Sequence, residues 1–154
     1  MDLSPLRQID LFRNLDAVQL AHLASISQVQ VAKKGTVLFS EGDKPEFFYV
    51  IAKGRVRISK QIPGIGEEAL AILDQGTYFG EMELIDSEMP RSAMALAHED
   101  CTLQAMRISD FHTLIGTDRE LAVAILWSIV RTLANRLRAT NDKVTAMFAM
   151  AQFG

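Results

Sequence analysis

The chain has 154 residues, 49% of them hydrophobic, and a net charge of -3: enough apolar material for one main core, and no overall positive field for gathering nucleic acid. Its one cysteine, Cys101, excludes an intrachain disulfide framework and points to a reduced, cytoplasmic setting with the thiol in the core. The Met-Asp-Leu-Ser-Pro start and the lack of a long uncharged apolar run argue against a secretory leader or a membrane span, so no membrane partner is expected.

Residues 1–27 read as a helical segment. Leu11, Phe12, Leu15, Val18, Leu20, Leu23, Ala24 and Ile26 give one or two short amphipathic helices, with Asp16 placed to cap the second.

From 28 to 108 the pattern changes to short strands divided by turn signals. Val29 and Val31 alternate with polar neighbours, and Val37-Leu38-Phe39 precedes Glu41-Gly42-Asp43. Residues 47–51 run into Lys53-Gly54, where Gly42 and Gly54 supply the positive φ of tight turns. Val56 and Ile58 alternate before Pro63-Gly64-Ile65-Gly66, after which 69–73 return as a partner strand. Residues 94–97 and 101–106 offer two more strands. Many short strands with glycine-rich turns predict an α+β, mainly β fold, a roll or sandwich rather than a parallel sheet wrapped by helices.

Residues 109–154 read as helices. Ser109-Asp110 starts a short one containing Phe111, Leu114 and Ile115, and a second begins near Asp118 and continues to Met147 or beyond. Within it Leu126, Val130, Leu133, Leu137, Thr140, Val144, Met147 and Ala151 recur at alternating steps of four and three, a heptad seam that predicts a parallel homodimer. Arg131, Arg136 and Arg138 read as flanking charge, and Met147 and Met150 as helix packing.

The chemistry concentrates between Tyr78 and Ala93, where Glu81 and Arg91 stand ten positions apart. The guanidinium of Arg91 offers a planar fork suited to two phosphate oxygens. Gly80 lets the backbone approach a ligand, and Ser92 and Ala93 place small side chains beside the same anion. Glu81 can accept from a sugar hydroxyl. On the residues alone three readings stand: a nucleotide-like ligand, a structural pairing of Arg91 with Glu81, or another small anion.

Phe79-Gly80-Glu81, Leu84 and Pro90-Arg91-Ser92-Ala93, with Gly35, Glu41-Gly42-Asp43, Phe48-Tyr49-Val50 and Gly54-Arg55-Val56 upstream, resemble the cyclic nucleotide-binding domain family. The resemblance covers roughly 11–148 and is nearest to the sensor half of bacterial catabolite activator and Fnr-like regulators. It implies a double-stranded β-helix, or jelly roll, with N-terminal helices and a long C-terminal helix. It also implies that Arg91 clamps a cyclic phosphate, that Glu81 accepts from the ribose 2′-hydroxyl, and that Gly80, Ser92 and Ala93 complete the cassette. Residues 134–144 resemble the end of the activator's dimer helix, where a hydroxyl pair meets adenine; Thr140 matches the first position and Asn141 replaces the serine of the second. The implied ligand is cAMP, with cGMP as the alternative, since Ser92 does not separate them.

No nucleophile arrangement accompanies the pair, and His22, His98 and His112 are scattered without metal-ligand spacing, so neither an enzyme, a cofactor nor a metal is expected. The ten residues after Val144 are too few for a helix-turn-helix, so direct DNA binding is not expected of this chain. It reads as a sensor acting on an effector protein, or as the sensor fragment of a transcription regulator; the remaining alternative is a degenerate roll used as a protein-interaction module.

Overall fold

The computed structural model describes residues 3–86 and 88–153; Met1, Asp2, Ser87 and Gly154 lie outside them. Two short helical turns, α1 (Ser4–Arg7) and a 3-10 turn (Asp10–Phe12), lead into α2 (Ala17–Ser25). Asp16 caps α2 as the sequence predicts: its Oδ1 accepts from the Gln19 backbone N–H at 2.8 Å, and the Gln19 side chain accepts from the Asp16 N–H at 3.0 Å.

Eight strands follow: β1 (Ser27–Ala32), β2 (Val37–Phe39), β3 (Phe47–Lys53), β4 (Val56–Ile62), β5 (Gly66–Leu73), β6 (Tyr78–Phe79), β7 (Met94–Ala97) and β8 (Cys101–Arg107). They form two antiparallel four-stranded sheets, ordered β1-β8-β3-β6 and β2-β7-β4-β5, and the expected jelly roll is present. The run 69–73 does return beside β4, with Val56 opposite Leu73.

The two faces of β3 explain its unbroken apolar sequence. Tyr49 and Ile51 point between the sheets, where they meet Val56, Ala95, Ala97, Leu103 and Ala105. Phe48 and Val50 point the other way, into a second core built with Leu11, Phe12, Leu20, Leu23, Phe111, Leu121 and Ile125. A strand covered on both faces loses the period-two alternation of a half-buried one. Cys101 closes the inter-sheet core, its thiol donating to the carbonyls of Arg55 at 3.0 Å and Glu99 at 3.1 Å, and burial pushes its pKa up. Gly54 turns beside it with φ 90°, where a side chain would run into the Asp100 carbonyl.

Three helices complete the chain: α3 (Met82–Ile85) between β6 and β7, then α4 (Ile108–Thr117) and α5 (Arg119–Phe153). Helix α4 begins one residue before the predicted Ser109. Asp118 caps α5 by accepting from the Leu121 N–H at 3.0 Å. Over its 35 residues α5 is about 50 Å long. Leu121, Ile125 and Ile129, at steps of four, are buried against the N-terminal helices. Beyond residue 134 the roll covers little of the helix, and the seam positions Leu137, Val144 and Met147 are exposed, as is Met150. The packing expected of Met147 and Met150 is therefore not found within one protomer. Among the described residues, no helix is long and apolar enough to cross a membrane.

Candidate functional site

Where β6 ends, the chain must turn toward α3 without blocking the interior. Gly80 makes that turn with φ 82°, and a Cβ there would stand 2.9 Å from Nη1 of Arg91. Glycine serves both needs: it tolerates the left-handed backbone and leaves room for the guanidinium. The turn after β2 fixes Arg91 from the other side. Its backbone N–H donates to the Asp43 carbonyl at 2.8 Å, and its carbonyl accepts from the Gly42 N–H at 2.8 Å. Glu41-Gly42-Asp43 and Pro90-Arg91-Ser92-Ala93, remote in sequence, are thereby one structural unit.

Arg91 is 3% exposed. Its Nη1 donates to Oε2 of Glu83 at 2.9 Å, its Nη2 donates to the Phe47 carbonyl, and its guanidinium lies 4.0 Å from the centre of the Phe39 ring. Its Nε is buried and, among the described residues, has no hydrogen-bond partner. Beneath, Tyr49 stacks on Phe79 with ring centres 5.0 Å apart; burial holds the Tyr49 phenol above its ordinary pKa against the opposing pull of Arg91.

Glu81, also buried, has a different partner. It accepts from Nη1 of Arg136 on α5, whose guanidinium stands 5.9 Å from the centre of the Tyr78 ring. The structural pairing of Arg91 with Glu81 is thus not formed. Each is ion-paired elsewhere, Arg91 to Glu83 within the cassette and Glu81 to the long helix.

These groups surround a cavity of about 390 Å³ between the roll and α5. Phe39, Ile58, Ala71, Leu73 and Phe79 give it an apolar wall, while Gly80, Glu81, Glu83, Ser92 and Ala93 form the cassette side. Helix α5 contributes Arg136, Ala139, Thr140 and Lys143. Of the residues singled out in the sequence, Gly80, Glu81, Ser92, Ala93 and Thr140 line the space; Arg91 does not, but is ion-paired to Glu83, which does. Asn141 is exposed and does not line it. Such a volume suits a small organic ligand, about 300–1,000 Å³ being usual, and the arrangement pairs an apolar slot with both a cation and an acceptor.

Sequence reasoning missed Glu83, Arg136 and Lys143 as site residues. Arg136 and Lys143 had a signal: each immediately precedes a seam residue, Leu137 or Val144, so both fall on one stripe beside the seam. Glu83 had none, since a carboxylate in a four-residue helix reads as solvated. Among the described residues, no group of three histidine, cysteine or acidic side chains could hold a metal.

The cyclic nucleotide-binding domain family matches residues 29–118. A cyclic AMP receptor protein of Thermus thermophilus is 36% identical over 131 residues, 85% of this chain and 58% of that protein. Human cGMP-dependent protein kinase 2 is 30% identical over 118 residues, 75% of this chain and 15% of the kinase. A solved cyclic nucleotide-binding domain from Methylobacillus flagellatus superposes with a TM-score of 0.80 at 27% identity, covering 92% of this chain and 79% of that one. The chain therefore spans less than two thirds of either curated relative's own length.

Proposed function

The chain belongs to the cyclic nucleotide-binding domain family, and from that premise we propose that it is a non-catalytic sensor that binds cAMP and relays the event through α5. The observation that carries this reading is the single cavity that gathers the Glu81 carboxylate, the apolar slot and Thr140, with Arg91 ion-paired to the lining residue Glu83. In it Arg91 takes the cyclic phosphate, with Gly80, Ser92 and Ala93 allowing close approach. Glu81 accepts from the ribose 2′-hydroxyl, and the base lies along Ile58, Ala71 and Leu73 toward α5. The Thr140 hydroxyl can accept from the 6-amino group of adenine. The 36% identity to a protein named as a cyclic AMP receptor supports the same base.

A cGMP-preferring sensor is the second reading. It draws support from the 30% identity to a cGMP-dependent kinase and from Lys143, whose ammonium at the cavity could donate to the guanine 6-oxygen.

The relay rests on the Glu81–Arg136 pair, which ties the cassette to α5. A ribose hydroxyl on Glu81 competes with Arg136, so ligand favours one placement of the helix over another; without that difference in affinity there is no switch. Two protomers pair in parallel through α5 in this reading. One set of seam positions holds Val123, Val130, Leu137 and Val144, the other Leu126, Leu133, Thr140 and Met147. β-Branched residues at one and leucine at the other favour a two-stranded coil. Asn141, exposed and outside its own cavity, then lies beside the partner's helix. The relay delivers the signal to an effector protein or to a further segment of a longer chain.

Thermal unfolding of the protein with cAMP, cGMP and linear 5′-AMP tests the proposal. Selective binding raises the melting temperature with ligand concentration by mass action. No shift with either cyclic ligand at saturating concentration sinks it in favour of an interaction module.

A further inference from the structure

The residue that sequence reasoning gave no role, Glu83, lines the cavity and is ion-paired to Arg91, which does not line it. Its side chain is 8% exposed and that of Arg91 is 2% exposed, with 2.9 Å between Oε2 and Nη1. Among the described residues Arg91 is its one ion-pair partner, while Glu81 is taken by Arg136. The phosphate clamp therefore already holds an anion.

We propose that Glu83 makes the clamp selective by charge, admitting a singly charged phosphodiester to Arg91 and turning away a doubly charged phosphomonoester. The proposal rests on the reading of Arg91 as the phosphate clamp. Arg91 with Glu83 and Arg136 with Glu81 cancel in two pairs, and Lys143 leaves one net positive charge among the ionic side chains at the cavity. One negative charge on the ligand balances it.

The donors of Arg91 show how both anions share one cation. Nη1 is given to Glu83 and Nη2 to the Phe47 carbonyl, while Nε is buried and, among the described residues, unpartnered. A phosphate oxygen that accepts from Nε leaves the Glu83 bond intact. A second ligand charge then meets the Glu83 carboxylate at short range in surroundings that screen little. A phosphomonoester carries that charge at pH 7.5, its second pKa being about 6, whereas a cyclic phosphodiester has no second proton to lose.

Calorimetry of the full chain at pH 7.5 with cAMP, 5′-AMP and the 5′-methyl ester of AMP separates charge from shape, because the ester is linear yet singly charged. In the wild type the ester is expected to bind about tenfold more tightly than 5′-AMP despite its extra methyl, a step of about 1.4 kcal/mol. In Glu83→Gln, which keeps an acceptor for Arg91, the affinity for 5′-AMP should rise to that of the ester, with the cAMP to 5′-AMP ratio falling by about the same factor. Equal binding of 5′-AMP and ester by the wild type overturns the proposal, and that comparison needs no variant to fold. An equal change for all three ligands in Glu83→Gln overturns it too. Absence of cAMP binding by the wild type fails the clamp reading itself, an outcome distinct from cAMP binding without discrimination by charge.

Discussion

Arg136, midway along α5, reaches the carboxylate of Glu81 across the cavity and joins the long helix to the turn after β6 by one ion pair. The Glu81 side chain is 6% exposed and that of Arg136 47%, so the pair is buried at one end and open to water at the other. Little else of the roll holds α5 beyond residue 134. Arg136→Gln is expected to speed hydrogen exchange in 132–140 while leaving the buried turns around Leu121 and Ile125 protected. The half-exposed cation keeps the global loss near the surface-pair range, about 1 kcal/mol by urea unfolding. Unchanged exchange in that segment would mean that the pair does not hold the helix.

The Arg91–Glu83 pair predicts a different pattern. Arg91→Ala leaves a buried carboxylate without its cation, a loss of about 3–5 kcal/mol in folding. Removing Glu83 as well removes the orphaned charge, so the double variant Arg91→Ala/Glu83→Ala should be more stable than Arg91→Ala alone. Urea unfolding of the four members of the cycle measures this. A double variant no more stable than the single one means that Glu83 finds another partner or water. Both variants lacking Arg91 should bind cAMP roughly tens-fold to thousands-fold more weakly, on the scale of about 2–5 kcal/mol for losing one member of a buried charge pair.

How much of this was legible in the sequence follows from how local each signal is. The Asp16 cap of α2, the β4–β5 hairpin and the start of α5 at Asp118 depend on neighbours a few residues apart, and each appears where the pattern puts it. The residue types of the cassette were legible because glycine, carboxylate and guanidinium were read against a family pattern. Their partners were not, since the docking of α5 brings Arg136 to Glu81 from 55 positions away and no spacing encodes that angle. Glu83 escaped for the opposite reason: it is near Arg91 in sequence, but only the burial of both makes it part of the site.

If Glu81 accepts from the ribose, its charge matters to one hydroxyl. Glu81→Gln is expected to weaken cAMP binding by roughly 1.5 to 3 kcal/mol at most, the scale of a hydrogen bond to a charged group. The wild type should bind 2′-deoxy-cAMP more weakly than cAMP, and Glu81→Gln should narrow that gap. Calorimetry with the two ligands checks both. Equal wild-type affinities would reject the contact, and Arg136 would then be the sole partner of Glu81.

The apolar side of α5 makes the final prediction. Leu137 and Val144, 61% and 44% exposed, stand one heptad apart on a helix whose second half the roll leaves uncovered. An isolated helical extension is marginal in water, because each ordered residue costs backbone entropy that packing must offset. A second α5 running parallel supplies that packing, with Val130 and Leu133 continuing the contact toward the roll. Leu137→Glu places two like charges opposite each other at the centre of the seam while disturbing no contact of the protomer's core. It should convert a dimer to a monomer in sedimentation equilibrium and lower the far-ultraviolet helix signal as the far end of α5 frays, leaving the roll folded. A wild type that sediments as a monomer at micromolar concentration would remove the seam's proposed role, and the exposed stripe would then call for a different partner.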